Sequence, residues 1–490
     1  MRKRRRIIYN DDGAAEKPSN NPDATVEGFL ASHFNSSVGT QVDSWFYNYG
    51  DCWLREDGTL YPGGPFMDRR QSAGVFGDAN EIIIDAARKA GMEIFGSLRL
   101  NDVHCGSNGI TEPFKLKHPE LVIGHPHWPD KYHHVLDGEQ PVYDGGYPEQ
   151  SIMDQFWAAF DFAKPEVHDY RLDFIRQFCS AYNWDGIELD FMRMPLYFKL
   201  GEEAENLETM TGFMRSVRAV MNEIGEKRGR SYLLAVRVPA TPELALRTGL
   251  DVEAWLREGL VDLLIASTED WIYFTAFSEI VDLGHRCGVP VYLCHNAQLW
   301  SKQHDPGVLI RSIASNFWAT GADGIYLFNF PYWHKEVLDG GWLNQIGDPE
   351  TLAGFEKSYQ PEIVDYGGNR GYIVGPDPFP KCLVHGAAFE IMVGDDVEKA
   401  AHNGLLKALR LKVDVEQMHR VEGINISVNG TKVSADDIER VSHDSFAAPL
   451  HAPPLKQGLN QITILPGRHS IGRLTSVVTG LDLRVRYMQE

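Results

Sequence analysis

The sequence predicts an α/β chain: a (β/α)8 barrel followed by a small C-terminal β-sandwich. Three features of the 490 residues predict it. Eight short apolar runs alternate with amphipathic helical stretches up to about residue 345. Long insertions follow the second and third runs. Beyond residue 380 the helical period gives way to short alternating runs with turn residues between them.

The predicted barrel strands are Arg5–Asn10, Asp43–Asn48, Glu93–Leu100, Gly186–Phe191, Leu233–Pro239, Leu263–Thr268, Pro290–His295 and Gly324–Phe330. Most are apolar and end in polar residues, as parallel strands buried on both faces do. Helical patterns fall between them: Glu81–Ala90 with Asn80 as N-cap, Pro165–Tyr182, Glu203–Ile224, Asp251–Gly259, Ala276–Cys287 and Val308–Thr320. No GxGxxG follows the first strand and no phosphate-binding P-loop occurs, which turns the reading from nucleotide folds toward the closed barrel. The predicted domains are the barrel, 1–345; a Gly- and Pro-rich linker, 346–380; and the sandwich, 381–490, with Asn429-Gly430 marking a hairpin.

Composition narrows the function. A chain 43% hydrophobic and 23% charged, with 11 Trp, 19 Tyr and 24 Phe, builds a large core. A formal net charge of −21 disfavours nucleic acid and anionic membranes as partners. The basic run Arg2–Arg6 leads into a strand and reads as its solvated entrance. No apolar run reaches membrane-spanning length. Six scattered cysteines form no CxxC pair, so a reducing cytoplasm is the expected location.

The chemistry centres on Asp185-Gly-Ile-Glu-Leu-Asp190. Alternation puts Glu188 and Asp190 on one face of the strand and Ile187 and Leu189 on the other. The apolar pair suits the helix layer, so both carboxylates point into the lumen. Asp190 is nearer the C-terminal end, where barrel enzymes act. Glycoside hydrolysis needs two carboxyl groups about a sugar bond. Asp190 is the expected nucleophile or base, and Glu188, Asp102 and Glu269 are the other catalytic candidates. Pairing of one carboxylate with an inward arginine, Arg237, Arg99 or Arg193, is the structural alternative. If Asp190 reacts, Asp190→Asn is expected to cost orders of magnitude in rate and to leave the melting temperature unchanged or raised.

Further candidate substrate contacts lie at strand ends: Arg99, Asn101 and His104 after the third strand, with Asp102 and His104 as a polar pair. Arg193, Arg237, Trp271, His295, Asn329 and Trp333 follow later strands. A metal site needs three or four ligands at defined geometry, and the loop histidines His125, His127, His133 and His134, beside Trp128 and Tyr132, read instead as sugar contacts or surface, so neither metal nor cofactor is expected.

Three blocks carry a resemblance: Leu98–His104, Phe160-Asp-Phe-Ala-Lys-Pro-Glu-Val167 and Asp185–Pro195. Over about residues 1–345 the chain resembles the bacterial glycosyl-hydrolase-like (β/α)8-barrel proteins. The resemblance implies a TIM barrel and a carbohydrate substrate. It points to Asp190, Glu188 and Arg193, to Arg99, Asn101, Asp102 and His104, and to Asp161 as residues lining the site. The arginines suit an anionic sugar or neutralise the carboxylates. A carbohydrate-binding barrel without turnover and a metal-dependent lyase or hydrolase are the competing readings.

Overall fold

The computed structural model describes residues 3–11, 25–48, 54, 57–60, 77–103, 112–124, 132–135, 140–143, 156–268, 271–296, 305–329, 341–364, 379–418, 423–467 and 476–488. Eight parallel strands close into a barrel in which each strand pairs with its neighbours in sequence. They are β1 (Ile7–Asp11), β2 (Val42–Asn48), β3 (Glu93–Arg99), β4 (Gly186–Asp190), β5 (Leu233–Pro239), β6 (Leu263–Ser267), β7 (Val291–Asn296) and β8 (Gly324–Phe328). All eight predicted runs are present, displaced by at most two residues at an end. A parallel strand covered on both faces is legible as an apolar run because neither face can hold many polar groups.

Helices cover the outside: α1 (Val26–His33), α2 (Ala79–Lys89), α3 (Pro165–Ala181), α4 (Leu207–Arg228), α5 (Pro242–Arg247), α6 (Val252–Arg257), α7 (Ser278–Arg286) and α8 (Pro306–Ala319). Ile187 and Leu189 face them in the main core, together with Phe174, Phe178 and Val236. The N-cap of α2 is Asp78, not Asn80; its carboxylate accepts from the backbone N–H of Asn80. The capping signal was right in kind and two residues late.

The basic entrance is not solvated throughout. Arg5 is buried, and its guanidinium grips Glu93 at 2.6 and 2.9 Å, with Ser44 Oγ donating to the same carboxylate. Arg6 pairs with Asp43 and Arg4 with Asp348. Barrel closure sets β1 beside β2 and β8, and so supplies each arginine with an acid distant in sequence.

Inside, the register and the tilt of a closed eight-strand barrel stack inward side chains in layers drawn from alternate strands. Ascending toward the C-terminal mouth, one layer holds Phe46, Glu188, Ile265 and Tyr326. The next holds Asn10, Ser97, Arg237 and Cys294. Above it come Asn48, Asp190, Ser267 and Phe328. The lower lumen is apolar, with Ile8, Phe46, Phe95, Ala235, Leu263 and Ile265 in one cluster.

The C-terminal region has two antiparallel sheets about a shared core that includes Ile391, Leu411, Val413, Ile464 and Leu483. Asn429 and Gly430 both take positive φ, 48° and 81°, between Ile424–Val428 and Thr431–Lys432, as a two-residue hairpin turn requires. The described part of the expected linker is built into both regions. Ile346 and Leu352 pack in the barrel core, and Lys357–Tyr359 forms an edge strand of the sandwich. Pro and Gly marked the turns there; the buried apolar residues between them decide the structure.

Candidate active site at the barrel mouth

Asp190 ends β4 pointing inward, and its register partner on β5 is Arg237. The guanidinium forks onto the carboxylate: Nε donates to Oδ1 at 3.0 Å and Nη2 to Oδ2 at 2.7 Å. Oδ1 also accepts from the backbone N–H groups of Met192 at 2.8 Å and Arg193 at 3.0 Å. Arg237 is fully buried, donates to Ser267 Oγ at 3.0 Å and lies 3.9 Å over the Phe328 ring. Four donors therefore surround Asp190. This changes the expected outcome of Asp190→Asn: the substitution strands a buried guanidinium, so stability falls.

Arg99 is the β3 partner of Asp190. Its Nη1 donates to Asp102 Oδ2 at 3.1 Å, so the partner of Asp102 in the described structure is Arg99. The expected pairing with His104 lies outside the described residues, as do Glu269 and Trp333. Lys115, also buried, donates to the backbone carbonyl of Asp102 at 2.9 Å and belongs to a cluster with Glu112, Arg171 and Tyr170. That cluster ties the insertion after β3 to α3. Glu112 and Lys115 sit in a stretch without period, so the sequence carried no signal for their clustering with the helix residues Tyr170 and Arg171.

Glu188 lies beneath the pair, fully buried. Its Oε2 accepts from Ser97 Oγ at 2.5 Å and Tyr326 Oη at 3.0 Å. Burial, and then the nearby charge of Asp190, push its carboxyl up to about 7, against the opposing pull of Arg237. Ser97 and Tyr326 were missed, although strand alternation with Arg99 and Phe328 places both inside.

Other expected contacts have different positions. Asn101 clips three segments: Nδ2 donates to the carbonyls of Phe160 and Leu196, and Oδ1 accepts from the Phe160 N–H. Its amide ties these segments together at the mouth. Asp161 Oδ1 accepts from the Ala163 N–H in the turn before α3, and burial raises its carboxyl above the usual range. His295 is buried on β7, where alternation with the luminal Cys294 turns it outward. Asn329 takes a left-handed φ of 57°, and its N–H donates to Asn10 Oδ1 at 3.3 Å. Arg193 contributes its backbone N–H to Asp190. Trp271 begins a short strand paired with Ile363–Val364. Trp45 and Tyr47, at the second strand, pack in the barrel–helix core. A buried pair, Asp11 Oδ2 and His33 Nδ1 at 2.7 Å, links the end of β1 to α1. Among the described residues no group of His, Cys, Asp and Glu has metal-binding geometry, and no helix is long and apolar enough to cross a membrane.

No protein-family model matches the sequence, and no curated protein does. Among solved structures the chain is similar to the glycoside hydrolase domain of PgaB from Bordetella bronchiseptica. Identity there is 10%, over 71% of this chain and 99% of that one, with a TM-score of 0.45. It is similar to the GH36 α-galactosidase AgaA from Geobacillus stearothermophilus at 11% identity, over 95% of this chain and 56% of that one, TM-score 0.36. It is also similar to α-L-fucosidase isoenzyme 2 from Paenibacillus thiaminolyticus at 12% identity, over 73% and 51%, TM-score 0.41. The chain matches about half the length of the last two. These similar solved structures are glycoside hydrolases.

Proposed function

We propose that this chain is a glycoside hydrolase acting at the C-terminal mouth of its barrel on an oligo- or polysaccharide. One observation carries the reading. Two carboxylates and two guanidiniums, Asp102–Arg99 and Asp190–Arg237, are gathered on consecutive strands at the catalytic end of a lumen that is apolar lower down. Buried ion pairs seldom improve on apolar packing, so stability alone does not account for this concentration.

The two aspartates divide the work. Asp190, held by four donors, organises the mouth: it fixes Arg237 and the turn through Met192 and Arg193. Asp102 lies on the rim and is the described carboxylate we assign to attack or to water activation. Glu269, which follows β6 in sequence, is the candidate acid for the leaving oxygen. The rim guanidiniums of Arg99 and Arg193 suit a sugar bearing a carboxylate or sulfate.

The second reading is a carbohydrate-binding barrel without turnover. It is favoured by the four donors that occupy the Asp190 carboxylate, which leave it poorly disposed to attack. The two separate in one experiment. Binding of neutral and uronic oligosaccharides is measured by titration calorimetry beside their hydrolysis, for wild type and Asp102→Asn. Hydrolysis lost by at least about a hundredfold in a folded variant supports the first reading. Binding without hydrolysis in both proteins supports the second.

A further inference from the structure

Among the described residues, two buried polar atoms in the lumen have no hydrogen-bond partner: Nδ2 of Asn10 and Oε1 of Glu188. Both residues are essentially inaccessible, at 1% and 0% exposure. They occupy adjoining layers on facing walls of the barrel, Asn10 on β1 and Glu188 on β4. Tyr326, whose hydroxyl donates to Glu188 Oε2, stands on β8, the strand hydrogen-bonded to β1. Tyr9 is in register with Leu327, so Asn10 follows Tyr326 up that wall. The bond to Tyr326 thus draws the Glu188 carboxyl across the lumen toward the strand that carries Asn10. An amide donor and a carboxyl oxygen left dry are each costly, and a water with two to four polar partners removes both costs.

We propose that Asn10, Glu188 and Tyr326 hold one ordered water in the lumen, and that Glu188 is a positioning residue beneath Asp190. The Asn10 amide donates to this water, which donates in turn to the Tyr326 oxygen. Glu188 Oε1 accepts from the water when ionised and donates to it when protonated. Since Oε2 already accepts from Ser97 and Tyr326, Oε1 is the oxygen that takes the proton. Asp190, Arg237 and Phe328 lie in the layers above, so a sugar at the mouth does not touch Glu188. The charged and titratable groups facing Glu188 are Asp190 on β4, Arg237 on β5 and Tyr326 on β8, and Tyr326 in turn is faced by Cys294 on β7. The positioning role rests on the mouth being the reacting site; the water does not.

A high-resolution crystal structure of the wild type, with infrared difference spectra, tests the proposal. Density for one water between Asn10 Nδ2 and Glu188 Oε1 is expected. So is a protonated-carboxyl stretch at acid pH that disappears in Glu188→Gln and shifts to higher frequency in Asn10→Leu. A dry lumen, or a band unmoved by Asn10→Leu, overturns the water site without touching the glycosidase reading. For the positioning role, Glu188→Gln, which mimics the neutral acid, is expected to flatten the pH dependence of turnover across neutrality. Loss of turnover at every pH in a folded Glu188→Gln protein would make Glu188 a reacting group and overturn that role.

Discussion

Asp190 and Arg237 illustrate how one contact changes the meaning of a residue. Removing one member of a buried, forked ion pair leaves the other uncompensated and costs about 3–5 kcal/mol. Asp190→Asn is therefore expected to lower the melting temperature, and Asp190→Asn combined with Arg237→Met to recover much of the loss. Thermal melts of the two variants check this; a single mutant as stable as wild type would contradict the pairing. Glu188 makes a prediction with a definite sign. Its folded carboxyl is raised from 4.5 to about 7, so its protonated form is favoured by folding. That contribution is complete below about 4.5 and fades as pH rises through about 7. Wild type is expected to lose stability relative to Glu188→Gln over this window, as read from melts at a series of pH values. The parity of Glu188 and Asp190 was legible in the sequence, because Ile187 and Leu189 between them had to face the helices. Their partners were not. Arg237 and Arg99 are both register partners of Asp190, yet Arg237 forks onto it while Arg99 bonds Asp102, and no local pattern encodes that choice.

At the scale of elements, strand existence was readable and strand neighbours were not. Arg5 looked like a solvated entrance because Glu93, its partner, lies two strands away in the barrel. Packing between strands also leaves marks on glycine. A Cβ on Gly186 would stand 2.4 Å from a Phe95 ring carbon and 2.5 Å from the Leu233 carbonyl oxygen. Gly186→Ala is thus expected to cost about 1–3 kcal/mol by overpacking. Gly212, within α4, has open space about its Cβ position and an ordinary helical φ. There Gly→Ala is expected to stabilise by about 0.5–1 kcal/mol. Chemical denaturation of the two variants checks the opposite signs; equal effects would contradict the packing described for β4.

For the molecule as a whole, the barrel and sandwich are joined by a buried polar network as well as by chain connection. Lys357, fully buried, meets Asp395 Oδ2 at 3.0 Å and donates to the carbonyls of Leu352 and Phe355. Burial lowers its ammonium pKa, and Asp395 opposes that shift. Asp395 Oδ1 accepts from Ser315 of α8 at 2.7 Å, and Tyr359 donates to the same serine at 3.0 Å. Lys357→Met is expected to destabilise by about 3–5 kcal/mol and to separate the melting of the two regions. Calorimetry showing one unchanged transition would contradict the network's role. The Gly/Pro composition of residues 346–380 suggested a linker, yet composition cannot reveal which intervening residues a second domain will bury.

Hydrolysis of a panel of neutral, uronic and sulfated oligosaccharides by the folded wild-type protein tests the central claim most directly. The account predicts turnover of at least one sugar class, abolished by Asp102→Asn with the fold retained. Sugar binding with no turnover across the panel, or full activity in Asp102→Asn, would contradict it.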